Sequence, residues 1–199
     1  MKGGKISLAL ATGAFLSALL CAAPPLLAGE VAESVGEAAA SYKAGELSAA
    51  VESMEYARAL VLQEKSARLA AFLPPPPPGW EVMETGGEGG RMATASRMYR
   101  RGQSMMHVNI STDVKPEPPS FLEEESPCAK AWAEARAKLP VVEIGRRKAL
   151  VDFEEKERSG SISVEEEGLS VDVMGNGVSK DEIMRFFQSI DIDGIAAMK

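Results

Sequence analysis

Two periodicities divide the chain. Between residues 31 and 73 apolar side chains recur at three- and four-residue intervals, with Leu47, Val51, Met54, Val61 and Leu69 on one stripe. Glu52, Glu55, Glu64 and Lys65 fall mostly elsewhere. The stretch lacks proline and is rich in Ala, Glu, Leu and Lys, which are strong helix formers. Gly45 interrupts it, so the pattern predicts two antiparallel helices, about 32–43 and 47–72, joined by a turn at that glycine. From Gly79 the period becomes two, as in Trp80-Glu81-Val82-Met83-Glu84.

Pro74 to Pro78 separate the two regimes. Five consecutive prolines predict a stiff polyproline II spacer, about 3.1 Å per residue. Beyond them the pattern predicts strands at 80–84, 92–100 and 104–114, the last two joined by a hairpin turn at Arg101-Gly102-Gln103. Met106, Val108 and Ile110 share one face of the third strand, and Met105, His107 and Asn109 share the other. A helix is expected over 126–139, with Cys128, Ala131, Trp132 and Ala135 on one side. Strands resume at 141–144, 149–155, 161–166 and 169–174. Ser179 and Glu182 then form a capping box and Val178 and Ile183 a hydrophobic staple. The helix they open runs to about Ser189 and buries Ile183, Phe186, Phe187 and Ile190. Strands, helix, strands, helix describe an α+β domain: a mostly antiparallel sheet with two packed helices, preceded by a helical hairpin.

Pro77-Pro78-Gly79-Trp80 entering a strand, Tyr99-Arg100-Arg101-Gly102 before the next, and a terminal helix closing on Ser189-Ile190-Asp191 resemble an uncharacterised family of exported bacterial proteins. More distantly the domain resembles the PsbP-like modules. The resemblance implies an accessory role in an extracytoplasmic space and carries over no catalytic residue. The turn around Gly45 resembles that of a tetratricopeptide repeat, but there is no second copy.

The first 28 residues read as a signal peptide. Lys2 and Lys5 precede an uncharged run from Ile6 to Leu20, and Ala28 offers a small residue for cleavage. The apolar run is short of the roughly 20 residues that span a bilayer. The alternative is a lipoprotein anchored at Cys21, although Leu20 before it departs from the usual lipobox. The organisation expected is leader 1–28, helical arm 29–73, spacer 74–78 and a sheet domain 79–199 able to fold alone.

Charge narrows the chemistry. The chain carries a net −7, and loss of Lys2 and Lys5 with the leader makes it −9. That excludes a nucleic-acid binder built on a cationic face. Two cysteines and one histidine exclude a Cys-rich zinc site and any His-paired metal motif. Methionine is the odd abundance, ten in 199 residues. Met92, Met98, Met105 and His107 are the donors a soft-metal (copper) chaperone would use. His107 is also the sole candidate base for a hydrolase, with no partner motif beside it. Strand alternation splits the methionines, so the reading preferred is a non-enzymatic periplasmic binding module without cofactor. Its partner would be an unknown periplasmic protein or a second copy, met through the arm stripe Leu47, Val51, Met54 and Leu69.

Overall fold

The computed structural model describes residues 25–87, 92–112, 134, 137–166 and 168–198. Helices α1 (Pro25–Ala44) and α2 (Leu47–Leu69) form an antiparallel hairpin. Its turn is a Schellman motif: the Glu46 amide donates to the Ser41 carbonyl at 2.9 Å and the Gly45 amide to that of Tyr42 at 3.1 Å. Gly45 sits at φ 81°, which a side chain would strain. α1 begins earlier than the sequence pattern suggests, at a proline, which suits a first helical turn. The cleavage expected after Ala28 would therefore fall in the first turn of α1.

Among the described residues seven strands follow: β1 (Glu81–Gly86), β2 (Ala93–Arg101), β3 (Ser104–Thr112), β4 (Val141–Ile144), β5 (Arg147–Glu154), β6 (Ser159–Glu166) and β7 (Leu169–Asn176). They build one antiparallel sheet in the order β1-β2-β3-β7-β6-β5-β4. Two meanders thus meet at the β3–β7 pair. Helix α3 (Lys180–Gln188) carries the anticipated capping box, and a short α4 (Ile192–Ala196) follows. The protein is an α+β fold with an N-terminal helical hairpin. The helix expected over 126–139 lies mostly outside the described residues; of it, Glu134 and Ala137 are helical, while Lys138 and Leu139 already form a turn and a bend.

Alternation sorts the sheet into two faces. Tyr99, Met106, Val108, Ile110, Ile162, Val164, Val171 and Val173 are all at most 1% exposed and face the helices. Leu62, Leu69 and Leu73 belong to the same core. The last third of α2 is therefore part of the sheet's core, with Ser66 Oγ accepting the Thr94 amide proton at 3.0 Å. The proline run is packed at its first residue, while Pro75, Pro76 and Pro78 are exposed. Pro74 is buried, and its carbonyl accepts from Tyr99 and from Arg97, which also donates to Leu73 O. Trp80 and Tyr99 each meet Phe186 edge-on, at centroid distances of 5.4 and 5.1 Å. The expected spacer is thus strapped at Pro74 to the aromatic end of the core. The reason is that a polyproline strand leaves its carbonyls unpaired, and here buried donors reach them.

Candidate functional site

Two surfaces stand out, one on the arm and one on the sheet. The arm's two helices touch through small residues: Ser34 and Ala38 on α1 and Ala50 and Ala57 on α2 are buried. Val35 and Tyr42, at i and i+7, lie about a quarter-turn round α1 from that seam. Leu47, Val51, Met54 and Val61 lie about a quarter-turn round α2 in the same rotational sense. In an antiparallel pair those two turns bring both stripes to one side. All six side chains are 49 to 68% exposed. Together they expose on the order of 500 Å² on one side of the hairpin, the size of the largest apolar patch on a typical soluble protein, which is often a functional one.

Four of the five stripe residues expected from the sequence are on this face: Leu47, Val51, Met54 and Val61. Leu69 is not. It lies five whole turns beyond Val51 on the same side of α2 but is completely buried in the sheet's core, because the C-terminal end of α2 docks on β2. Val35 and Tyr42 of α1 are joined to this stripe only by the packing of the hairpin, their one signal in the sequence being an i, i+7 spacing.

The second surface is the sheet face turned away from α2, α3 and α4. Met98, Met105 and His107 all lie on it, since Arg97, Tyr99, Met106 and Val108 occupy the alternate positions. Met98 stands directly opposite His107, and His107 opposite Met174 of β7. Met92 is excluded from this group, because it precedes β2 at the other end of the strand, about 20 Å from Met98 by strand rise. Met174 escaped the sequence pattern because only the β3–β7 pairing brings it across. Beside Met98 and His107 the surface is hollowed by a depression of about 350 Å³, with Glu84, Ser96 and Asn109 also on its wall.

The groups with shifted titrations lie in contacts that tie the elements of the fold to one another. Burial raises the Tyr99 phenol, with Arg97 opposing. Glu182 is raised by burial, but the Ser179 amide and Arg101 outweigh that and hold its carboxyl below the usual value. Arg101 reaches Glu182 at 2.6 Å while its guanidinium lies 4.6 Å from the Trp80 ring centroid. Asp193 is lowered by Arg146 and Arg147, and Arg147 also meets Glu166. These pairs clamp α3 and α4 onto the sheet.

No protein-family model matches the chain, and no curated protein matches it. Among the described residues no helix is long and apolar enough to cross a membrane, and no three His, Cys, Asp or Glu side chains gather into a metal-holding group.

Proposed function

We propose that the protein is a non-enzymatic accessory module of the periplasm that works by binding another protein chain through the arm. The observation that carries this reading is the apolar face shared by Val35, Tyr42, Leu47, Val51, Met54 and Val61. A water-facing hairpin gains nothing in folding from six large apolar groups that its own core leaves uncovered. A docked helix or helix pair would bury them. The basic start and short apolar run before Ala28 support export, as does the resemblance to exported bacterial proteins.

Photocrosslinking in cells tests it. A benzophenone amino acid at Val51 is expected to give one discrete adduct from the exported fraction. The same group at Glu52, on the opposite side of α2, is expected to give none. Equal labelling at both positions, or none at either, overturns the reading.

A further inference from the structure

We propose that the outer face of the sheet carries a soft-metal site, in which His107 and the thioethers of Met98 and Met174 hold a Cu(I)- or Ag(I)-class ion. The argument starts from register. Met98 of β2, His107 of β3 and Met174 of β7 are successive cross-strand partners. Directly opposed residues on one face have Cβ atoms about 4.5–5.5 Å apart. One imidazole is therefore flanked on both sides by a flexible thioether. Met105 adds a third, two residues along β3 on the same face, about 7 Å away by strand rise.

The donor set selects the ion. Imidazole nitrogen and thioether sulfur are neutral, and thioether is soft. They suit a monovalent soft cation and are poor ligands for Mg(II), Ca(II) or Zn(II), which favour oxygen, or thiolate and imidazole.

Two further observations set this row apart from ordinary surface methionines. Met105 and Met174 are 41% and 45% exposed. The next row across the same strands is Ser96, Asn109, Asp172 and Ser163, polar throughout. Methionine usually fills gaps in apolar packing, whereas the row beside this one is polar on β2, β3, β7 and β6, apolar side chains returning in that row only at Leu150 of β5 and Val141 of β4. His107, meanwhile, forms no hydrogen bond or ion pair to a described residue, so neither ring nitrogen is committed within them.

The test is a Cu(I) titration of the full chain under anaerobic conditions, against a chromophoric Cu(I) chelator, in a Cys21→Ser, Cys128→Ser background that removes thiolate ligands. One equivalent is expected to be retained. His107→Ala, Met98→Leu and Met174→Leu should each weaken retention at least about tenfold, the scale on which altering a metal's surroundings is felt. Met92→Leu should leave it unchanged. Thermal melting of each variant checks that the fold persists, and Ag(I)-induced shifts of the Met98 and Met174 methyl signals report the ligands directly. Failure to hold Cu(I) against the chelator overturns the site. So does retention that survives His107→Ala, or loss caused by Met105→Leu but not by Met174→Leu.

Discussion

The Tyr99 hydroxyl donates a 2.6 Å hydrogen bond to the carbonyl of Pro74, twenty-five residues earlier, in a buried setting. That bond joins the middle of the sheet to the first proline of the run following α2. Arg97 donates to the same carbonyl at 3.1 Å, so Pro74 keeps a partner if the hydroxyl is lost. Tyr99→Phe is therefore expected to cost only about 1 kcal/mol, lowering the melting temperature by roughly 2–4 °C. A scanning-calorimetry loss several times larger would show that the strap depends on this one bond.

Leu69 and Val51 sit on one helix and should behave oppositely. Leu69→Ala empties a completely buried site and is expected to cost about 2–5 kcal/mol. Val51→Glu alters an exposed side chain and should stay within about 0.5 kcal/mol while abolishing the adduct from a benzophenone placed at Met54 on the same face. Urea melts of the two variants decide this. Equal destabilisation would mean that the arm face is covered within the chain.

Truncation reads the same division. A chain starting at Gly79 lacks Leu62, Leu69 and Leu73, all core members. It is expected to lose cooperative melting, whereas a chain starting at Ala59 retains it. A sharp transition from the shorter fragment would show that the sheet closes its core without α2.

Gly160 faces Phe153 across β5 and β6. A Cβ built there would lie 2.2 Å from the Asp152 carbonyl oxygen and 2.7 Å from the Phe153 ring. Backbone cannot give way as a side-chain tip can, so Gly160→Ala is expected to cost about 1–3 kcal/mol. A denaturant midpoint unchanged from the parent would contradict that packing.

The Glu182 carboxyl titrates below its ordinary value of 4.5 in the folded protein. Its folded form thus holds the proton less tightly than the unfolded chain. The stability this contributes is fully present above about pH 4.5 and disappears as pH falls through the folded value. Glu182→Gln should flatten the acid limb of the melting-temperature profile below about pH 4.5 and change its shape little near neutrality. An acid limb identical to the parent's would place the pH dependence elsewhere.

Local chemistry made much of this fold legible from sequence. Alternation marked the strands from Ala93 to Asn176 to within a few residues, because a strand with one buried face must repeat every second position. Ser179 and Glu182 announced α3, because a capping box is completed within four residues. Gly45 announced the arm's turn through its backbone freedom. What the tertiary structure decided was every relationship between distant segments. Leu69 is core because α2 docks on β2, although its spacing matched the exposed stripe. Pro74 is an anchor because Tyr99 and Arg97 reach it across the fold. Met174 joins His107 because β7, last in the chain among the strands, pairs with β3 in the middle of the sheet. Periodicity fixes which face a side chain occupies, but strand order and register fix its neighbours, and those follow from the packing of the whole core.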